Sequence, residues 1–474
     1  MSISVDVRMY RQGFGDCFLL TITEDSTVKH MLIDCGVHQK VTGGAAQMVQ
    51  VVTDISNVTS GHLDLVAVTH DHVDHQSGFQ QAKSLFAQMT IGKLWLAWTE
   101  NQNDPFAAKI LADRTAKVKA LTAFSSGADE VGLELSAAVQ ETLGFLDAAP
   151  GANGESPALA ALRTQVGEAN IEFHEQSEAP LTIEGLSGLR WYVLGPPRDE
   201  AIFLKSGPMD SGSDMYVTNA MPGADASFLA AALNRVGVVQ QGEAKWDEVT
   251  ELSYPFNQDQ RLNCPLVNGL PTVSDGVSPT VTEFFRTRYC TDKAEWRRID
   301  QDWTAAASEL AMAVGDNINN TSLVLALEFV ESGKVLLFVG DAQIENWMSW
   351  KDCKWSVDRD GNTVEVSASD LLARTVFYKV GHHGSRNATA KDDGLEQMKS
   401  RDLVALIPVD PVFAQAQKWQ HPWPNLVTAL EQKTSGRVAQ QDPGAANTLS
   451  SGSNPQLATN LTVTPLYIEY TVTG

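Results

Sequence analysis

The segment Thr69–His75 constrains this chain more than any other, because it holds three of the ten histidines together with two aspartates. It directly follows Leu63–Val68, an apolar run typical of a buried strand. A strand that ends at Thr69 delivers the next residues to a loop at the sheet edge, where side chains from both sides of the backbone can converge. Imidazole nitrogens and carboxylate oxygens suit zinc, manganese or iron, whereas thiolates are absent from the segment. The pattern predicts a metal site; the alternative is a solvated polar turn with incidental histidines.

The arrangement His-x-His-x-Asp-His in this segment resembles the signature of the metallo-β-lactamase superfamily. Further stretches extend the resemblance in the order which that family requires: Gly13–Leu20, Met31–Gly36, Asn320–Leu325, Leu336–Ala342 and Lys379–Ser385. The Gly-Asp-Ala and His-His-Gly-Ser sequences in the last two stretches are similar to those of the ComEC-type hydrolase domain, and His421-Pro422 fits a late His-Pro element of that branch. The resemblance implies an α/β fold, the four-layer αββα sandwich of the metallo-β-lactamases.

The resemblance also implies a split metal site that binds one or two divalent ions, zinc or manganese. Its expected ligands are His70, His72, Asp74, His75, Asp341 and His382, with Asp341 bridging two ions. His383 is the alternative to His382 and could instead contact the substrate or protonate a leaving group. An N-cap of the following helix is the alternative role for Asp341.

Other residues are expected to support the metal site. Asp34 would orient the metal loop as a hydrogen-bond acceptor, and Asp74 would orient the attacking hydroxide. Most two-metal members carry a further histidine, for which only His174 stands in the required interval. It lacks the usual glycine context and is expected to be a surface strand residue, so the position of His70 and His72 is expected to be incompletely liganded. The candidates for substrate contact are Ser385, Arg386, Asn387 and His421.

Hydrolysis is the reaction class that such a site favours. A divalent ion lowers the pKa of water to about 7 and so supplies hydroxide at neutral pH. The ComEC-type resemblance implies a phosphodiester or nucleotide-like substrate, and hence a phosphodiesterase or nuclease. Two alternatives stay open: a hydrolase of esters, thioesters or lactams with the same fold, and an interaction or defence component that needs a protein partner.

Charge limits the kind of nucleic-acid contact that is expected. The formal net charge of −23 argues against a broad basic surface for nucleic acid, although a local groove remains compatible with it. Arginines alternate with aromatic residues in Phe284–Tyr289 and Trp296–Arg298, a combination that clamps phosphates and stacks bases. Acidic residues next to both stretches reduce their positive charge, so a solvated helical face is a somewhat better interpretation than a nucleic-acid site.

Composition indicates a cytoplasmic protein. The five cysteines are scattered and lack the paired spacing of a metal site, which is typical of reduced thiols. The first residues alternate like a strand rather than a signal segment, and no stretch is long enough to cross a bilayer, so no membrane contact is expected.

The pattern of apolar residues divides the chain into three parts. Residues 1–197 are expected to form the first half of the sandwich, with a helical extension over about 105–170. Residues 198–316 are rich in Gly, Ser, Asp, Pro and Asn and are expected to form one insertion, either a lid or partner surface or a decorative excursion. Its expected helices are Ala226–Val236 and Trp303–Val314. Residues 317–474 return to alternating strands and helices, as expected of the second half.

Overall fold

The structure is a computed structural model. It describes residues 2–130, 137–146, 155–203, 266–267, 270–271, 278–288, 300–359, 361–441 and 460–474. Within these ranges the chain forms a mixed α/β fold in which two large sheets carry helices.

The first sheet has eight strands in the order β17-β18-β1-β2-β3-β4-β5-β6. Neighbours from β17 to β3 are antiparallel, and those from β3 to β6 are parallel. Strand β1 alternates as a half-buried strand should, with Val5, Val7 and Met9 turned to the core. The strands are β1 Ile3–Tyr10, β2 Cys17–Glu24, β3 Thr27–Cys35, β4 His62–Val68, β5 Thr90–Ala97, β6 Ile171–His174, β17 Leu461–Val463 and β18 Tyr467–Thr473.

The second sheet has six strands in the order β16-β15-β14-β11-β10-β7. Strands β11, β14, β15 and β16 are parallel, whereas β7, β10 and β11 are antiparallel. The bounds are β7 Leu189–Gly195, β10 Val324–Phe329, β11 Val335–Phe338, β14 Thr375–Lys379, β15 Val404–Ile407 and β16 Val438–Gln440. Two small antiparallel pairs complete the strands: β8 Leu266–Val267 with β9 Leu270–Pro271, and β12 Lys354–Arg359 with β13 Asn362–Ser367.

The helices of the described segments follow from apolar spacing and local capping. Met48, Val51, Val52 and Ile55 line one buried face of the first helix. The bounds are α1 Gly44–Val58, α2 Val73–Gln81, α3 Lys83–Phe86, α4 Pro105–Glu130, α5 Ala137–Phe145, α6 Pro157–Val166, α7 Glu200–Phe203, α8 Pro279–Arg288, α9 Asp300–Asn319, α10 Ile344–Met348, α11 Ala368–Ala373, α12 Pro411–Ala416 and α13 Pro424–Thr434.

Three apolar clusters hold these elements together. The central cluster joins the two sheets, for example through Phe18 of β2 and Phe377 of β14. A second cluster packs α1, α2 and α6 on the first sheet. A third packs α10, α11 and α13 on the second sheet, with Trp347 and Trp350 fully buried. The helices therefore lie on the outer faces of a sheet pair, and the sheet edges are left to carry the loops.

Most of the predicted elements that fall in described segments are present. The meander of the first three strands and the strand before Thr69 are confirmed. The helix expected over Trp303–Val314 lies inside α9, and α4, α5 and α6 fall in the expected helical extension. The helix expected over Ala226–Val236 lies outside the described residues. The hairpin of β12 and β13 was not predicted, because its outer face is polar and exposed.

No helix in the described segments combines the length and the apolar character needed to cross a membrane.

The central core predicts a matched pair of stability effects. Val7 of β1 is fully buried, whereas Val28 of β3, a valine in the same sheet, is 49% exposed. Val7→Ala should lower the free energy of unfolding by about 2 kcal/mol, because buried methyl groups are lost and a cavity remains. Val28→Ala should change it by no more than about 0.5 kcal/mol. Urea unfolding of both variants checks this, and equal midpoints would contradict the description of the core.

Candidate metal centre

The loops that carry the predicted ligands meet at one edge of the two sheets. Three of them follow the carboxyl ends of parallel strands, which lie at a common edge of each sheet. Thr69–His75 follows β4, Asp341 follows β11, and His382 and His383 follow β14. A fourth residue, Asp16, reaches the same edge for a different reason. It immediately precedes β2, which runs antiparallel to β3, so that β2 begins where β3 ends.

Four buried side chains form the cluster that could hold a metal ion. One nitrogen or oxygen from each of Asp16, His75, Asp341 and His383 lies within 4.8 Å of all the others. Asp341 Oδ2 is 3.2 Å from His75 Nε2 and 3.5 Å from His383 Nε2. Two imidazoles and two carboxylates suit zinc, manganese or iron. Among the described residues this is the one group of three or more such side chains that lies close enough together.

Unsatisfied polar atoms beside this cluster fit a cation site. Asp16 Oδ1, Asp74 Oδ1 and His72 Nε2 are buried and have no hydrogen-bond partner among the residues whose positions are described. Each such atom costs about 1–3 kcal/mol when it is left unpaired. Lone pairs gathered in this way are what a divalent ion would satisfy, so the residues present fit a metal site.

Asp34 orients the loop that carries His75. Its Oδ1 accepts a hydrogen bond from the Thr69 backbone N–H at 2.7 Å, and its Oδ2 accepts one from the Thr69 hydroxyl at 2.7 Å. The same Oδ2 lies 2.8 Å from His75 Nδ1. These contacts leave His75 Nε2 facing Asp341, which matches the role expected for Asp34.

Close backbone approach explains the glycines beside these acids. A side chain on Gly36 would lie 2.2 Å from the carbonyl carbon of Asp74. The Gly36 N–H donates to the Asp16 carbonyl at 2.9 Å, and the Asp16 N–H donates to the Asp74 carbonyl at 2.9 Å. Three segments of the chain are therefore joined through their backbones, which requires a residue without Cβ at position 36.

Asp341 divides its two oxygens between different partners. Oδ2 faces His75 and His383, as described above. Oδ1 accepts a hydrogen bond from the His382 backbone N–H at 3.0 Å and lies 3.5 Å from the ammonium group of Lys379. The Asp341 N–H donates to the hydroxyl of Ser322 at 2.9 Å. This carboxylate thus presents one oxygen to the cluster and is held by the protein through the other.

His70 and His72 lie next to the cluster but outside it. His70 Nε2 is 3.0 Å from His72 Nδ1, and His70 Nδ1 lies 3.1 Å from the Thr69 hydroxyl and 3.3 Å from that of Ser322. Asp74 contacts the cluster through His383, whose Nε2 is 2.8 Å from Asp74 Oδ2.

His174 is 5% exposed, so it is not the surface residue that was expected. Its Nδ1 lies 2.7 Å from Glu178, and it is not part of the cluster.

The structure places His383 rather than His382 in the cluster. Both residues have positive φ angles, 40° for His382 and 49° for His383, and this backbone turns their rings in different directions. His383 Nδ1 lies 2.7 Å from the Pro408 carbonyl, which directs Nε2 to the acids. His382 Nδ1 is 2.9 Å from the Ser385 hydroxyl and 3.2 Å from the Gln343 amide nitrogen. The choice of His382 as a ligand therefore has no support in this arrangement.

The four predicted substrate contacts, together with His382, form a polar wall beside the cluster, consisting of His382, Ser385, Arg386, Asn387 and His421. The Ser385 hydroxyl donates to Asn387 at 2.9 Å, and the rings of His382 and His421 lie 5.6 Å apart. Arg386 is exposed, and His382, Asn387 and His421 are partly exposed, whereas the metal-site residues expose 3% or less.

Of the two stretches in which arginines alternate with aromatic residues, the first begins on α8, where Phe284 is 51% exposed. The second, Trp296–Arg298, lies outside the described residues.

Two residues of the candidate site, Asp16 and Lys379, were not among the predicted site residues. Both lie in stretches that carry the family resemblance, but neither was assigned a role. The available signal for Asp16 was its position immediately before a strand that pairs with β3, the strand that carries Asp34. Lys379 offered a weaker signal, a charged residue at the end of an otherwise apolar strand.

The charges in the cluster shift each other's pKa strongly. Burial alone would lower the pKa of His75, but Asp341, Asp16, Asp34 and Asp74 hold it well above its usual value. Burial alone would raise the pKa of Asp341, yet His75, His383 and Lys379 keep it well below its usual range. Burial lowers the pKa of His72 to about 3, so this imidazole is neutral at physiological pH.

No protein-family model matches this chain, and no curated protein matches it significantly. The family resemblance therefore stands on the motifs, and the site on its geometry.

Metal binding is predicted to release protons. Neighbouring carboxylates raise the pKa of both His75 and His383 above the usual value of imidazole, so both rings hold their protons more tightly. A ligand nitrogen must be deprotonated, so metal binding should release protons, and affinity should fall as pH is lowered. Calorimetric titration with Mn²⁺ in two buffers of different ionisation enthalpy measures the release. Identical heats in both buffers would contradict the assignment of these ligands.

Asp34 is predicted to control metal affinity without binding the ion. Asp34→Asn removes one acceptor oxygen from the loop and should weaken Mn²⁺ binding by about 10- to 100-fold. Asp25→Asn is the matched control, because Asp25 also has a positive φ angle, 50°, but lies on an exposed turn. Equal Mn²⁺ affinity in the two variants would show that Asp34 does not position His75.

Proposed function

We propose that this chain is a metal-dependent hydrolase of the metallo-β-lactamase fold, and that its substrates are phosphodiesters. The observation that carries the proposal is the buried group of Asp16, His75, Asp341 and His383 at the common edge of the two sheets. Buried acids and imidazoles with unpaired lone pairs are expected of a metal centre and are hard to explain as a core. The sheet pair with outer helices supports the fold assignment.

Different residues would bind the ion, accept a proton and position the ligands in such a reaction. A divalent ion at the cluster, manganese or zinc, would supply Lewis acidity, polarising a phosphoryl or carbonyl oxygen and making water more acidic. Asp74 contacts His383 through Oδ2, and its Oδ1 has no hydrogen-bond partner among the described residues, so it is placed to accept a proton from an attacking water. Asp34 holds Nδ1 of His75, so that Nε2 of the same ring is free to bind an ion. Asp341 presents Oδ2 to this Nε2.

The polar wall supports a phosphate-bearing substrate. Arg386 offers a cation with several donors in a plane. The Asn387 amide nitrogen donates one N–H to Gln343 at 2.8 Å and can offer its second N–H to a phosphate. His382 and His421 are partly exposed next to the buried cluster, so a bound diester could reach both regions. The strongly acidic chain disfavours long contacts along a polyanion, so a small nucleotide-like molecule or a short single strand is the better match.

An aromatic cluster supports a second candidate function, the hydrolysis of carboxylic esters, thioesters or lactams. The ring of Phe14 lies 4.2 Å from that of His383, and the rings of Phe145 and Trp419 stack at 5.4 Å. Such a wall could receive an apolar acyl group beside the same metal centre. A further hypothesis is that the protein is active only when a protein partner binds the 198–316 insertion.

Activity is predicted to depend on the metal and on the cluster residues. The full chain, stripped of metal, should hydrolyse bis-p-nitrophenyl phosphate only after Mn²⁺ or Zn²⁺ is restored. His75→Ala and Asp341→Ala should each reduce kcat/KM by about 100-fold or more, since an ion contributes several kcal/mol of charge stabilisation. His62→Ala, which changes an exposed histidine, is the control.

Three results of this assay bear on the proposal. Full activity of His75→Ala, or no rescue by either metal with any substrate, would refute a metal-dependent hydrolase. Turnover of p-nitrophenyl acetate, thioesters or lactones without turnover of the diester would favour the second candidate. Turnover of the diester that appears only with an added partner would favour the partner-dependent hypothesis.

A further inference from the structure

Lys379 places a buried positive charge inside the candidate metal centre. It is the last residue of β14 and is 2% exposed. Its ammonium group contacts a carboxylate oxygen of Asp16, the Gly340 carbonyl at 2.6 Å and Asp341 Oδ1 at 3.5 Å. An ammonium group has three donors, and here three oxygens face it. A fully paired lysine at this depth is uncommon and needs a reason.

The ammonium group contacts one oxygen of each of two carboxylates and leaves the other oxygen of each facing the cluster. Asp341 turns Oδ1 to Lys379 and Oδ2 to the histidines of the cluster. Asp16 turns Oδ2 to Lys379, while its Oδ1 has no hydrogen-bond partner among the described residues and lies 3.7 Å from His383 Nδ1. In a centre with two metal ions, bridging carboxylates would give one oxygen to each ion. Here the oxygens that a second ion would need are held by the lysine.

The opposite side of the centre does not offer a second complete ligand set. His70 is engaged through both ring nitrogens, by His72 on one side and by the hydroxyls of Thr69 and Ser322 on the other. His72 Nε2 has no hydrogen-bond partner within the described segments. No third imidazole joins them within the described part of the chain, since His174 is paired with Glu178.

We propose that the Lys379 ammonium group takes the place of a second metal ion, so that the centre binds a single divalent ion on the side of His75 and His383. Lys379 is then a positioning residue. It holds Asp16 and Asp341 so that each presents one oxygen to the ion. A second divalent ion would have to compete with the ammonium group for the same carboxylates and would be repelled by it. This inference rests on the proposed metal centre and deepens it.

Metal stoichiometry of the full chain tests the proposal. Wild-type protein, equilibrated with Mn²⁺ and analysed for metal, should hold a single ion per chain. Its electron paramagnetic resonance spectrum should show the resolved hyperfine lines of isolated Mn²⁺ rather than the broadened signal of a coupled pair. This measurement needs no variant, so it can overturn the proposal even if a substitution prevents folding.

Variants of the lysine test its role directly. Lys379→Met frees the two carboxylate oxygens and should raise the stoichiometry toward two ions per chain. Lys379→Arg keeps the positive charge and should leave a single ion. Asp16→Asn combined with Lys379→Met removes one charge of each sign and should also leave a single ion. Lys354→Met, which changes an exposed lysine on β12, is the control for the loss of a positive charge.

Each outcome separates this proposal from the proposed function. Two coupled ions in the wild-type protein would overturn the role of Lys379 and leave a metal-dependent hydrolase intact. A single ion in wild type and two in folded Lys379→Met would support it. An unchanged single ion of equal affinity in folded Lys379→Met would overturn it. A wild-type chain that binds no Mn²⁺ or Zn²⁺ would refute the metal centre itself, and with it both proposals.

Discussion

The buried ion pair between Asp16 and Lys379 is the contact on which the candidate metal centre depends. Asp16 leads into the first sheet and Lys379 ends a strand of the second, and their side chains expose 2% each. A charge this deep is tolerated only when it is paired, and loss of one partner typically costs about 3–5 kcal/mol. The pair therefore joins the two sheets at this edge. The same ammonium group lies 3.5 Å from Asp341 Oδ1, which connects the pair to the cluster.

Around this pair the protein accepts local strain and incomplete bonding. His382 and His383 both adopt left-handed backbone conformations, which cost about 1–3 kcal/mol each in residues other than glycine. Unpartnered oxygens of Asp16 and Asp74 add to that cost. Extensive apolar cores on both sides of the sheet pair can offset it. Such a concentration of unfavourable features at one edge indicates a site shaped for binding rather than for stability.

The centre separates the groups that would hold an ion from those that would recognise a substrate. The cluster is closed off from solvent, whereas Arg386, Asn387 and His421 reach the surface beside it. The overall charge of −23 favours the attraction of cations. Any anionic substrate must then rely on a few local donors, which limits recognition to a small part of the molecule.

Local patterns in the sequence determined most of the strands, most helices and the first segment of candidate ligands. Thr69–His75 could be recognised because an apolar run and a dense group of metal-ligating side chains are adjacent in the chain. Asp34 was assigned its orienting role through the family resemblance of the stretch Met31–Gly36. These features depend on neighbours within a few residues, which the order of amino acids shows directly.

Only the tertiary structure decided which side chains share the cluster. Asp16 enters because antiparallel pairing of β2 with β3 brings a distant segment to the edge. His383 is selected over its neighbour by two backbone φ angles, and periodicity cannot predict positive values outside glycine. Lys379 acquires its role through acids from two other segments, Asp16 and Asp341. Contacts between segments far apart in sequence depend on how the two sheets pack, so local sequence patterns cannot predict them.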